Sequence, residues 1–224
     1  MRDHRAPVER DAERVRKVPV KLAEAVAIFL EQQGVEHVFG VNGGACLHLI
    51  HGIQDATKIK FIPTAHEQGA GFAADAYARI SGLGVAMATS GPGATNLVTA
   101  ISAAWQDSTP VLFIVGNVAT FRQGAQFGVP FYGFQELDFV RMIGGVTKYA
   151  NQPERAEDVI PSIEACLAAM NYGRKGPGVV DIPDDLQRAD IDASKLHHWR
   201  LDNRSAGERW RDHVYGPAAY GKPT

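Results

Sequence analysis

Helix-period and strand-period hydrophobic patterns alternate along this chain with short connections between them. That alternation predicts an α/β fold, an open, mostly parallel sheet with helices on both faces. A second observation agrees. The chemistry-bearing segments Asn42-Gly43-Gly44, His66-Glu67 and Gly91-Pro92-Gly93 each follow a strand-like run, and ligands in such folds bind outside the carboxyl ends of strands.

Leu22, Ala25, Val26, Phe29 and Leu30 recur at helical spacing, and Gly34 stops that helix. Residues 36–41 read as a short strand closed by Asn42-Gly43-Gly44. Residues 45–54, with Leu47, Ile50 and Ile53 on one side, read as a helix. A strand at 59–63 leads into an alanine-rich helix at 67–80, stopped by Ser81-Gly82. A strand at 85–89 runs into the glycine turn, a helix follows at 95–106, and residues 110–115 form the most apolar strand. A longer loop, 116–133, is rich in Gly, Gln and Phe. Then come a helix at 136–143, a short strand at 147–150, a helix from Pro153 to about Tyr172, and a last strand at 179–182.

These elements suggest an extension at 1–19, a domain at 20–190 and a tail at 191–224. The tail carries His197, His198, Trp199, Trp210, Tyr215 and Tyr220 among charged and turn-forming residues, and is expected to pack on the surface or on a partner. The first residues mix acids and bases around no apolar stretch, so neither a secretory signal nor a transit peptide is expected. No apolar run is long enough for a membrane helix. A formal net charge of -2 gives no electrostatic case for nucleic acid or an anionic membrane. Two cysteines, Cys46 and Cys166, make no disulfide framework and read as free thiols in a reducing cytoplasm.

Glu67 is the most informative residue. It begins a helix whose other members are mostly small or apolar. A carboxyl group in such surroundings can hold or share a proton, which suits acid–base work; it also complements the positive end of a helix dipole. The turn Ser90-Gly91-Pro92-Gly93-Ala94-Thr95-Asn96 leads into a helix. Such a turn can cradle phosphate, close a tight bend or let backbone approach a flat ligand. Asn96 stands where a dinucleotide fingerprint needs its third glycine, and no Gly-Lys-Ser/Thr follows, so neither a Rossmann fingerprint nor a P-loop is present. His48 and His51 share a helix face without an evident third ligand, so no metal site is assigned. Cys46 reads as a buried filler.

Taken together, several ordered motifs resemble the N-terminal, pyrimidine-binding domain of thiamine diphosphate enzymes, most nearly the acetolactate synthase group. They are Gly34-Val35-Glu36-His37-Val38-Phe39-Gly40 with Gly43-Gly44, His66-Glu67-Gln68-Gly69 with Ala73 and Tyr77-Ala78-Arg79, residues 89–97, Phe134-Gln135-Glu136, Thr147-Lys148, and Gly176-Pro177-Gly178-Val179-Val180-Asp181-Ile182-Pro183. The resemblance implies that Glu67 hydrogen-bonds a ring nitrogen of the cofactor's aminopyrimidine and promotes proton loss from the thiazolium C2. A 2-keto acid is then decarboxylated and the product passed to a second carbonyl compound. It further implies that Val41, Asn42, Gly43, Pro92 and Asn96 line the pyrimidine pocket. Gln135 would reach the reacting centre, and Lys148 would lie near the substrate entrance.

Three departures accompany the resemblance. Asn42 replaces the family's usual proline. The loop 124–133, with Phe127, Phe131 and Tyr132, is longer and more aromatic, which argues against pyruvate as substrate. The family's Gly-Asp-Gly motif, which with a downstream Asn holds magnesium and the diphosphate, does not occur in these residues. The expectation is therefore a split enzyme, a hetero-oligomer in which a second chain supplies the diphosphate-binding domain and its Mg2+. A catalytically inactive or regulatory module that binds a full-length relative is the alternative.

Overall fold

A computed structural model describes residues 19–192. Nearly all of the extension and of the aromatic tail lies outside the described residues. Six strands form one sheet in the order β3-β2-β4-β5-β7-β6: β2 (His37–Gly40), β3 (Lys60–Pro63), β4 (Gly84–Ala88), β5 (Val111–Asn117), β6 (Tyr149–Asn151) and β7 (Gly178–Pro183). Every neighbouring pair is parallel. The α/β class and parallel sheet expected from the sequence are thus present.

Helices cover both faces. On one lie α1 (Leu22–Gln32), α2 (Leu47–Ala56) and α7 (Ala156–Asn171); on the other lie α3 (Glu67–Ser81), α4 (Pro92–Asn96), α5 (Val98–Asp107) and α6 (Phe139–Ile143). Strand alternation divides the core accordingly. Val85, Met87, Leu112, Ile114, Val180 and Ile182 join the first layer. Ala86, Ala88, Val111, Phe113, Val115 and Val179 join the second. The second layer is rich in alanine, so its helices approach closely: a Cβ on Gly71 of α3 would lie 2.5 Å from Cβ of Ala100 in α5. Small side chains there draw the start of α3 toward α4.

The strand order decides where a site forms. From β2 the chain moves to β3 on one side, then returns to β4 on the other. The turns leaving β2 and β4 therefore diverge at a topological switch point, where open α/β sheets bind ligands.

Several boundaries differ from the sequence reading. The helix expected at 95–106 is two helices, α4 and α5, which meet at Leu97. The helix expected at 45–54 opens with a 3-10 turn at Gly44–Cys46 before α2. The helix expected from 136 starts at Phe139 because Asp138 caps it, accepting from Arg141 N at 3.0 Å, while Glu136 is engaged elsewhere. The helix expected from Pro153 starts at Ala156 and accommodates Pro161 inside it. Three short elements went unforeseen. Strand β1 (Pro19–Lys21) pairs antiparallel with β8 (Asp190–Asp192), reinforced by a Lys21–Asp190 ion pair of 2.8 Å, and α8 (Asp184–Gln187) precedes β8. No helix among the described residues is long and apolar enough to cross a membrane.

Candidate active site

Strand β3 delivers the chain to His66, which caps α3: its Nδ1 accepts from Gln68 N at 3.1 Å. Glu67 is the first residue of α3 and is buried, only 8% exposed. Asn96, at the last position of α4, donates from Nδ2 to Glu67 Oε2 at 2.9 Å. Glu67 Oε1 accepts no hydrogen bond among the described residues and faces Gly93, where a Cβ would stand 3.4 Å away. A buried carboxyl group is thus fixed through one oxygen and free to bond through the other.

Gly43, in the turn after β2, packs on Thr89 so closely that a Cβ would lie 2.5 Å from Thr89 Cβ. Thr89 in turn accepts from Ala45 N through Oγ1 at 3.2 Å. The β2 and β4 turns are in this way locked together. Val41 is half-buried and Asn42 and Pro92 are exposed, so the expected pocket residues present partly open surface.

The loop after β5 carries Gln135 to this edge. Gln135 has φ 58° and sits against Gly91, itself at φ 55°, where a Cβ would meet the Gln135 carbonyl oxygen at 2.5 Å. Left-handed backbone at Gly91 costs a glycine little but strains any other residue. Gly91→Ala is expected to lower stability by about 2 kcal/mol and to displace Gln135; urea unfolding measures the first effect.

Glu136 explains how a long loop holds its shape. Its Oε1 accepts from Gly124 N at 2.7 Å, and its Oε2 accepts from Tyr132 N at 2.7 Å and Gly133 N at 2.9 Å. Hydrogen bonds to an ionised acceptor are stronger than neutral ones. Glu136→Gln should therefore speed amide exchange at Gly124, Tyr132 and Gly133 about tenfold or more, while β4 and β5 stay protected. Two further ties anchor the loop. Asn117 Nδ2 donates to Leu137 O at 3.2 Å, and Thr120 donates to Asp185 from N at 2.9 Å and from Oγ1 at 2.6 Å.

Residues 20–142 match the protein family "Thiamine pyrophosphate enzyme, N-terminal TPP binding domain". The chain belongs to this family. Among relatives, a probable acetolactate synthase large subunit of Methanocaldococcus jannaschii is 40% identical over 177 residues, which are 79% of this chain and 29% of that protein. The acetolactate synthase large subunit of Corynebacterium glutamicum is 39% identical over 171 residues, 76% of this chain and 26% of that protein. An acetolactate synthase of Mycobacterium bovis is 43% identical over 167 residues, 73% of this chain and 26% of that protein. The chain spans less than a third of the length of these relatives.

Within this family domain the structure brings Glu67, Asn96, Gly43 and Gln135 to one edge of the sheet. Lys148 is not there. It precedes β6 at the amino end of the sheet, and its Nζ donates to Tyr172 O at 3.0 Å. A motif shows that a lysine lies beside a strand but not which end of the sheet it occupies. His48 Nε2 lies 3.6 Å from Asp184 Oδ1, and among the described residues no group of three or more His, Cys, Asp or Glu gathers at metal-binding distance. Residue reading missed Thr89, the common cushion of the two turns. It also missed Glu136 as a clasp, although three glycine or aromatic turns in 124–133 hinted that something must hold them.

Proposed function

We propose that this domain is the pyrimidine-binding half of a thiamine diphosphate-dependent 2-keto acid decarboxylase or carboligase of the acetolactate synthase type. A second chain in the cytoplasm would complete the site with the diphosphate-binding domain and its Mg2+. The observation that carries this reading is Glu67, buried at the switch-point edge with Oε2 held by Asn96 and Oε1 unengaged. That oxygen suits a ring nitrogen of an aminopyrimidine, and the small-residue cradle of Gly93 and Thr89 suits a flat ring approaching closely.

When bound, the cofactor supplies an electron sink for breaking the bond between a keto-acid carbonyl carbon and its carboxylate. The protein's own share is position and proton traffic. Glu67 would hold the ring nitrogen of the pyrimidine through Oε1 and offer it a carboxyl group for proton exchange, which requires a site shielded from bulk water. Asn96 fixes the Glu67 carboxyl plane so that Oε1 keeps its aim. Val41, Asn42, Gly43 and Pro92 would bound the ring. Gln135, held in its strained conformation by Gly91 and the Glu136 clasp, would donate to a substrate oxygen. Residues 191–224 belong to the same proposal, as the element that holds the second chain.

Affinity capture from the native cell extract, with mass spectrometry of what accompanies the chain, tests this. Recovery of a second polypeptide with Gly-Asp-Gly and a downstream Asn, giving keto acid turnover that needs thiamine diphosphate and Mg2+, is the expected result. Recovery of the chain alone, or bound to a complete synthase whose turnover it merely changes, would replace a catalytic role with a regulatory one.

A further inference from the structure

Beside Gln135 lies a cavity of about 480 Å³ that meets the pyrimidine cradle at Thr89 and extends away from it. It is lined by the end of β5, by the turns after β2 and β4, and by Phe121, Arg122, Phe134 and Arg188. The two arginines are not equivalent. Arg188 Nη2 is paired with Asp184 Oδ2 at 2.8 Å, and Asp184 also lines the cavity, so their charges offset each other. Arg122 makes no ion pair among the described residues. Among the described residues the cavity therefore carries one uncompensated positive charge.

The turn that carries this charge is anchored. Arg122 ends a 3-10 turn, Thr120–Arg122, whose first residue is tied to Asp185 by two hydrogen bonds. Its guanidinium stands 5.5 Å from the centre of the Phe121 ring. The aromatic walls are open: Phe121 is 59% exposed and Phe134 84% exposed. Exposed aromatic rings beside a single unpaired guanidinium match a ligand with one carboxylate and an apolar body. The carboxylate gains charge-assisted hydrogen bonds, and the body covers ring surface that otherwise faces water.

We infer that this cavity is the donor-substrate pocket and that Arg122 selects the carboxylate of a 2-keto acid carrying an aromatic or bulky apolar side chain. The assignment deepens the proposed reaction and rests on it for the keto-acid identity of the ligand. Pyruvate would meet Arg122 but leave both phenylalanines uncovered. Dianionic substrates gain no second free cation, because Arg188 is already engaged.

Chemical-shift titration of the 15N-labelled full chain tests this without turnover. The probes are phenylpyruvate, pyruvate and 2-phenylethanol, which keeps the ring but has no carboxylate. Phenylpyruvate is expected to shift the amides of Val118, Phe121, Arg122 and Gln135, and to bind about tenfold or more tighter than either other probe. Arg122→Met should weaken phenylpyruvate about tenfold or more while the remaining spectrum is unchanged, with Arg122→Lys intermediate. Phe134→Ala should remove the preference over pyruvate. Undiminished phenylpyruvate binding by Arg122→Met, equal binding of pyruvate, or shifts mapping elsewhere would each overturn the assignment. A parallel titration with thiamine diphosphate and Mg2+ on the captured complex reports on Glu67 separately. Failure there with the phenylpyruvate shifts intact would fell the cofactor reading and not the anion pocket.

Discussion

Glu67→Gln is expected to cut thiamine diphosphate-dependent keto acid turnover by about 10²–10⁴-fold, the range a positioned acid–base group contributes. The substitution preserves shape and the Asn96 hydrogen bond, since the Gln carbonyl oxygen accepts as Oε2 does now. What it removes is the proposed proton exchange through Oε1. Fold and assembly should therefore survive, with unfolding free energy within about 1 kcal/mol of wild type, as for substitutions that break no packing. Turnover within tenfold of wild type would mean that Glu67 serves only the helix dipole, the plain role that a first-turn acid also fills.

The second large effect lies in the core. Asp181 in β7 is fully buried. Its Oδ2 accepts from Asn117 Nδ2 at 2.7 Å and Gln152 Nε2 at 3.2 Å, while Oδ1 has no partner among the described residues. Burial pushes its carboxyl from the ordinary 3.8 up to about 7, against the lowering effect of Asn117 and Gln152 and with a further upward push from Asp138. The folded state then binds a proton that the unfolded state has released. The stability this confers is full below about pH 4 and is lost as pH rises through about 7. A rise of about three pKa units corresponds to a loss on the order of 4 kcal/mol. Asp181→Asn, a neutral isostere, should flatten that slope and exceed wild type in stability at pH 8. Urea titrations from pH 4.5 to 8.5 measure the difference; parallel curves for the two proteins would show that Asp181 does not titrate in that window. Asn117 links Asp181 to the carbonyl of Leu137, so this titration sits directly beneath the loop that carries Gln135.

Much of this was legible because hydrophobic period is a local property. The strands β4, β5 and β7 are mostly apolar runs, broken only by Asn117 and Asp181, and their burial follows directly. Glu67 was legible because its neighbours are small and a helix starts there. Its partnership with Asn96 was not derivable from spacing, since 29 residues separate them and only the packing of alanine-rich helices joins them. The paired strands β1 and β8 escaped notice because three residues with exposed positions carry no periodic signal. The loop 118–138 escaped for a different reason. Its order comes from side chains gripping backbone, Glu136 on three amides and Asp185 on Thr120, and such grips leave no hydrophobic pattern. The proposed role of Arg122 was invisible on the same ground: its position depends on a turn that only the fold defines.

The measurement that bears most directly on the central claim is hydrogen–deuterium exchange at the thiazolium C2 of thiamine diphosphate, followed by NMR on the captured complex without substrate. It reads the proton step alone, whatever the keto acid. Exchange accelerated by the wild-type complex and returned to the rate of free cofactor by Glu67→Gln is the expected result. Equal acceleration by both proteins would contradict the role assigned to Glu67.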